Sequence, residues 1–356
     1  MSMNKASPLK NTPLLARAAR LLCEWYRENG SPMPWRDERS PYRTWISEIM
    51  LQQTRTAAVI PYFERFMQTF PDVQALADAD GEALLKLWEG LGYYSRARNL
   101  HQAAKDVVTR FGGKLPRTAK ELATLQGIGE YTAGAIASIC FGEPEPAVDG
   151  NVLRVISRLL ASTDDVALPE TKRAVAAALR EVYPTGDEAG ILTEALMELG
   201  ERICIPNGEP KCLSCPLAEI CAGLCEGKQN DLPVKSPKKA RRIRPCTVLL
   251  LRCGDRYAVA KRAEKGLLAG LWEFPNVDGH LSADEAHSYA ESLGVCPASV
   301  TCAGEATHIF THVEWHMRGY FVECREISPA LTWTTPTEIA NTYAIPKAFR
   351  FYTEQL

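Results

Sequence analysis

Apolar residues recur at helical spacing through the first two thirds of the chain and at shorter, strand-like spacing through the rest. In residues 14–28, Leu14, Leu15, Ala18, Leu21, Leu22 and Trp25 fall on one face of a helix that Gly30 stops. A proline-bounded loop follows from Ser31 to Arg36, and the pattern is helical again from Thr44 to Thr54. Further helices are expected at about 80–89, 95–110, 119–126, 131–141, 151–161, 169–182 and 187–201, with no strand signal above this background. Thr247–Cys253, Tyr257–Lys261, Leu271–Phe274 and Glu314–Val322 then read as short β-rich runs, with one helix near 283–293. This segregation predicts a multi-domain protein: an all-α domain over 8–225, a linker over 226–245 and a small α+β domain over 246–356.

At 356 residues the chain can bury two or three cores of ordinary size. No apolar run approaches bilayer length, and Met1 to Lys10 lack the apolar centre of a signal peptide, so no membrane association and a cytoplasmic or nucleoid location are expected. The net charge of −2 does not advertise nucleic acid, but its distribution does. Lys228, Lys235, Lys238, Lys239, Arg241, Arg242 and Arg244 face only Glu226 and Asp231 within the linker, a run that suits either a solvated connection or DNA contact. Twelve cysteines without an export signal argue for metal or free thiols rather than disulfides.

Residues 121–151 carry the most chemistry. Thr118 and Glu121 have the spacing of a capping box that would start a helix running to Gly127. A turn bounded by Gly127 and Gly129 then lets the backbone approach a bulky anion, and the amides of Gly129 to Tyr131 would open the next helix, where its dipole favours a phosphate. Such a helix-hairpin-helix grips one DNA strand without reading bases, although two glycines at a tight corner also suit an ordinary packing unit. Asp149, in a Val-Asp-Gly-Asn turn, could be a plain N-cap. Glu48 sits at the edge of an apolar helix face; it is either a boundary surface glutamate or a carboxyl whose pKa burial would raise. Facing one pocket, the two would resemble the acid and anion of a glycosidic cleavage. Cys204, Cys212, Cys215 and Cys221 form C-x7-C-x2-C-x5-C, with one C-x2-C knuckle where structural zinc sites have two. Four thiolates in one short loop suit an iron-sulfur cubane better, with zinc as the alternative.

Four segments together resemble the MutY family of adenine DNA glycosylases: residues 45–54 around Glu48, Gly90-Leu-Gly-Tyr-Tyr-Ser-Arg-Ala-Arg98, Gly127-Ile-Gly-Glu-Tyr-Thr-Ala-Gly134 and Val148-Asp-Gly-Asn151. The resemblance implies a helix-hairpin-helix glycosylase with a 4Fe-4S cluster, followed by a Nudix-like domain, that excises adenine opposite 8-oxoguanine in double-stranded DNA. It matches Glu48 to the general acid that protonates adenine N7 and Asp149 to the carboxylate that stabilises the sugar cation. Tyr131 and Asn151 match residues that order these carboxylates. Trp35, Arg36, Glu194 and Met197 match the adenine pocket, although periodicity alone places Glu194 at a solvated helix margin. Gln53, Thr54, Leu91 and Tyr93 match the wedge that fills the stack when the base is flipped. Phe310, Thr311 and His312 match the lesion-reading loop, with threonine where serine is common.

Tyr131 stands where glycosylases that also cleave the backbone carry a Schiff-base lysine, so base removal without an efficient lyase step is expected. Lys120 could support slow adventitious cleavage. Of the three glutamates of a Nudix metal box only Glu291 remains, which argues against pyrophosphatase activity. The first cysteine gap is one residue longer than in the family, and Gln126 replaces a proline common before the hairpin glycine. The rival functions are an endonuclease III type glycosylase/lyase and a non-catalytic lesion binder. A monomer is expected, with clamp or repair partners unassigned.

Overall fold

The computed structural model describes residues 11–237 and 240–356; Lys238 and Lys239 of the basic run lie outside them, as do the first ten residues. Two compact units result, one of residues up to Asp78 with Gln102–Pro237, the other of Ala79–His101 with the chain beyond residue 237.

Among its described residues the first unit has helices and connecting turns and no strand. Thr12–Asn29 is capped by Asn11, whose side chain accepts from Leu14 N at 3.2 Å, and it buries Leu15, Ala18, Leu22 and Tyr26. It packs on Asp187–Arg202, which also packs on Glu130–Phe141 and Gly150–Leu159 and so runs through the middle of the core. The expected loop before residue 37 contains a short helix, Pro34–Asp37, that buries Trp35. The next helix, Pro41–Leu51, starts one turn earlier than its pattern suggests, because Ser40 caps it through Arg43 N.

Other helices escape the periodicity reading as well. Thr56–Thr69 carries Pro61 in its interior, which ordinarily ends a helix, yet it buries Val59, Phe63 and Phe66. Val73–Ala77 is too short to show a period. Conversely, the helix expected to reach Gly127 is only Ala119–Leu122. Thr118 accepts from Glu121 N, but the Glu121 carboxylate bonds the Thr118 hydroxyl at 2.8 Å instead of a backbone amide, so half of the capping box is made.

Among the described residues of the second unit seven strands form one sheet: β1 Arg242–Cys253, β2 Arg256–Lys261, β3 Trp272–Glu273, β4 Asn276–Asp278, β5 Pro297–Ile309, β6 Val313–Cys324 and β7 Thr332–Thr334. The order is β3-β2-β1-β6-β5, with β4 on β1 and β7 on β2. β1 and β6 run parallel, from Arg242 opposite Val313 to Arg252 opposite Glu323. The strand therefore begins inside the segment expected to be linker. Cys246 to Leu251 are all buried because both faces are covered, Val248 and Leu250 by Trp315, Phe349 and Tyr352, Leu249 and Leu251 by Ala286 and Ala290. β5 has no apolar run to announce it; it is an edge strand whose exposed positions outnumber its buried ones.

Candidate active site

A cavity of about 560 Å³ opens in the helical unit, the size of a small-molecule site. Trp35, Arg36, Glu48, Thr54, Tyr131, Asp149, Asn151, Glu194 and Met197 all line it. Five helices with their caps and the turn after Leu51 supply them, so residues more than 160 positions apart in the chain share one wall.

Glu48 lies in the last turns of Pro41–Leu51, where the helix packs on Glu130–Phe141. It is buried at 6% exposure, and Tyr131 donates its hydroxyl proton to Glu48 Oε2 at 2.7 Å. Burial pushes the Glu48 carboxyl up to about 7; the Tyr131 bond opposes this, the negative charges of Asp149 and Glu194 add to it, and Arg36 opposes it. Tyr131 itself is held well above its ordinary range by burial and by the Glu48 and Asp149 charges, so it stays a donor. Its oxygen also lies 3.7 Å from Met197 Sδ.

Asp149 is the N-cap of Gly150–Leu159, as its turn suggested, and it also reaches the cavity. Its Oδ1 accepts from Val152 N at 2.8 Å and its Oδ2 from Asn151 Nδ2 at 2.9 Å. Burial raises its pKa despite the Val152 and Asn151 bonds and the nearby Arg154 charge. Arg154, 6% exposed, fixes Asn151 in turn: Nη2 donates to Asn151 Oδ1 at 2.8 Å and to Gly200 O at 2.6 Å, and Nε to Cys204 O at 2.6 Å. At Gly200 an added Cβ would stand 2.6 Å from the Cβ of Asn151, so the two helices approach here only because residue 200 has no side chain.

Glu194 is buried at 5% exposure rather than solvated. Arg39 Nη2 donates to it at 2.5 Å and Arg36 Nε lies 3.4 Å away, which leaves the buried Arg36 Nε without a good hydrogen bond. One turn on, Glu198 accepts from Ser31 N, Ser31 Oγ and Arg202 Nη1 through one oxygen and from Arg36 Nη1 at 2.8 Å through the other. Burial opposes its ionisation, but the bonds from Ser31, Arg202 and Arg36 hold its pKa below the usual range. Sequence reasoning passed over Arg39, Arg154, Glu198 and Gly200. The i, i+4 run Glu194, Glu198, Arg202 was a visible signal, since it stacks two acids and a base on one helix face.

The hairpin lies in the same unit. Gly127 takes φ +78°, which favours glycine, whereas Gly129 is extended and N-caps Glu130–Phe141 with no side chain to satisfy the first amides. Thr54 lines the cavity and the neighbouring Gln53 has φ +57°. Leu91, Tyr93, Phe310, Thr311 and His312 belong to the second unit. There the Tyr93 hydroxyl is 3.1 Å from Thr311 Oγ1, and Phe310 stacks edge-on with His308 and Trp315. His312 is exposed, its carbonyl accepting from Arg242 N.

Cys204, Cys212, Cys215 and Cys221 line one hollow with Val155, Leu159, Leu217 and Arg158. Among the described residues no three His, Cys, Asp or Glu side chains are placed to hold a single metal ion. Thiols spread around a hollow suit a polynuclear cluster, each iron taking one. Arg158, 4% exposed, has no carboxylate partner among the described residues; it donates to Cys204 Sγ at 3.3 Å and to the carbonyls of Ile205 and Leu232. A buried cation in such surroundings fits an anionic occupant of the hollow.

Residues 46–185 match the HhH-GPD superfamily of base excision DNA repair proteins and residues 247–355 the NUDIX domain. The chain is 34% identical to the adenine DNA glycosylase of Mus musculus, over 93% of its own length and 77% of the relative's. This chain belongs to the adenine DNA glycosylase family. The adenine DNA glycosylase of Homo sapiens is 34% identical over 94% of the chain and 73% of that protein. Among solved structures, a thermostable thymine-DNA glycosylase matches 60% of the chain and 98% of its own at TM-score 0.54 and 25% identity. In this adenine DNA glycosylase of base excision repair, a helical HhH-GPD domain precedes a Nudix-like α+β domain.

Proposed function

We propose that this adenine DNA glycosylase removes adenine opposite 8-oxoguanine by hydrolysis alone, with Glu48 as general acid and Asp149 as the anion facing the sugar. The observation that carries the reading is Glu48: a buried carboxyl near pKa 7, bonded by Tyr131, in the same cavity as Asp149. Adenine is a poor leaving group until a ring nitrogen is protonated, and a carboxyl poised near neutrality holds that proton at working pH. As the glycosidic bond lengthens, positive charge grows on the sugar. Asp149 lowers the cost of that charge, while Asn151 and Val152 N keep its oxygens from turning away.

Arg36 and Glu194 line the cavity where an extruded purine would sit, and Trp35 adds an apolar wall. Duplex DNA would be held at the amides after Gly129, and Gln53, Thr54, Leu91 and Tyr93 would offset the cost of unstacking, roughly a few kcal/mol. Preference for 8-oxoguanine is assigned to Phe310, Thr311 and His312, on the Nudix-like match that contains them. Cys204, Cys212, Cys215 and Cys221 would hold a 4Fe-4S cluster, which when bound gives the loop 204–221 a rigid frame. Tyr131 in place of an amine supports base removal without strand cleavage.

The test is single-turnover adenine release from a duplex with adenine opposite 8-oxoguanine, read with and without alkali. Strand breaks only after alkali, abolished in Glu48→Gln, are expected. Breaks without alkali that trap with borohydride would convert the reading to a glycosylase/lyase.

A further inference from the structure

Residues Ala79–His101 fall inside the span matched by the HhH-GPD superfamily, yet they form one compact unit with the Nudix-like domain. The reason is a set of polar anchors on both sides of the turn 90–93. Lys86, 18% exposed, places its ammonium on three acceptors: Glu89 Oε2 at 2.6 Å, Tyr343 O at 2.9 Å and Ile339 O at 3.4 Å. Three is the full donor capacity of an ammonium group. The other Glu89 oxygen accepts from Ile345 N at 2.9 Å, so carboxylate and ammonium together tie the chain to residues 339–345. Glu82 accepts from Lys261 at 2.8 Å and from Trp272 Nε1 at 3.3 Å. Beyond the turn, Arg98 Nη1 donates to Ala269 O at 2.6 Å.

The turn is also held from within. Arg96 is 7% exposed, donates to the carbonyls of Leu91 and Gly92, and carries its guanidinium over the rings of Trp88 and Tyr93. Tyr93 emerges from this frame with 46% exposure and φ +48°, and its hydroxyl meets Thr311 Oγ1. Apart from the Arg96 guanidinium over one face, this aromatic ring stands open on a fixed root, bonded to the tip of the β5–β6 hairpin.

We propose that Lys86 and Glu89 are positioning residues: they fix the turn 90–93 on the Nudix-like unit so that Tyr93 and Thr311 meet DNA as one body. This sets the preference for adenine opposite 8-oxoguanine. The inference rests on the function proposed above. Displacing the turn leaves Glu48 and Asp149 untouched; a weaker wedge slows release opposite either base, but only the lesion also loses the joint Tyr93–Thr311 contact, so its advantage over guanine shrinks.

The experiment measures single-turnover adenine release opposite 8-oxoguanine and opposite guanine with the full-length holoenzyme, in wild type, Lys86→Met, Lys86→Arg and Glu89→Gln. Losing a half-buried charged hydrogen-bond set should lower the ratio of the two rates at least about fivefold in Lys86→Met, the rate opposite 8-oxoguanine falling much further than the rate opposite guanine. Lys86→Arg should recover most of the ratio. A folded Lys86→Met with a ratio within about twofold of wild type, or with both rates reduced in parallel, overturns the proposal. If Lys86→Met does not fold, Glu89→Gln decides by the same criterion, since it keeps the acceptor for Ile345 N and loses the ion pair. Wild type that releases no adenine, or shows no preference between the two duplexes, would refute the proposed function instead of the positioning role.

Discussion

Replacing Glu48 by glutamine should stabilise the protein, and more so as pH rises. In the folded chain this carboxyl is raised from 4.5 to about 7, first by burial and then by the Asp149 and Glu194 charges. Between those values the folded state holds a proton that the unfolded state has released, so the folded state binds more protons and stability falls as pH increases. At about 1.4 kcal/mol per unit, the ionisable group costs about 3 kcal/mol at pH 8 and under about 1 kcal/mol at pH 5. Glutamine is neutral throughout and keeps an oxygen to accept from the Tyr131 hydroxyl. Any fixed cost of burying its amide cancels between the two pH values. Thermal unfolding at one scan rate, for wild type and Glu48→Gln, should show the variant's melting temperature gaining about 5–10 °C on wild type between pH 5 and pH 8. Activity runs the other way: release of adenine should fall to background in the variant, and the wild-type rate should decline above about pH 7 as Glu48 loses its proton. A melting-temperature gap that stays constant or shrinks with pH would refute the reasoning, whatever the activity.

Tyr131→Phe removes the bond that opposes the rise of the Glu48 pKa, so the alkaline limb of the rate profile should move above about pH 7 even as the rate falls; a limb that stays or moves down would contradict the assignment. Gly200→Ala should destabilise by about 1–3 kcal/mol and slow adenine release at least about tenfold, because its methyl group would displace Asn151 from Asp149; melting temperature and single-turnover rate measure both. Metal analysis of anaerobically purified protein should find about four iron atoms per chain and essentially no zinc, and Cys215→Ala should lose the iron and weaken DNA binding; stoichiometric zinc would overturn the cluster assignment.

How far the sequence carries the description varies along the chain. The helix Asp187–Arg202 was readable because its apolar stripe repeats cleanly, and Thr118 marks a helix start that is purely local, whereas the caps Asn11 and Ser40 went unread. Thr56–Thr69 was hidden by Pro61, whose local cost is overridden by three buried side chains on the same helix. β5 was hidden because an edge strand borrows its hydrogen bonds from β6 and needs little apolar surface of its own. At the site, the motifs around Glu48, Tyr131 and Asp149 named the chemistry through resemblance, but periodicity put Glu194 at a solvated edge and said nothing of Glu198.

By itself, then, the sequence determined most of the longer helices, the strands β1, β2, β3 and β6, the two-part organisation and the family, since periodicity and short motifs are properties of neighbouring residues. Only the tertiary structure decided that Glu48 is buried against Tyr131, that Arg154 reaches Asn151 and that Ala79–His101 joins the Nudix-like unit. Desolvation, close approach and charge pairing depend on groups tens to hundreds of positions apart, and no local pattern records which of them meet.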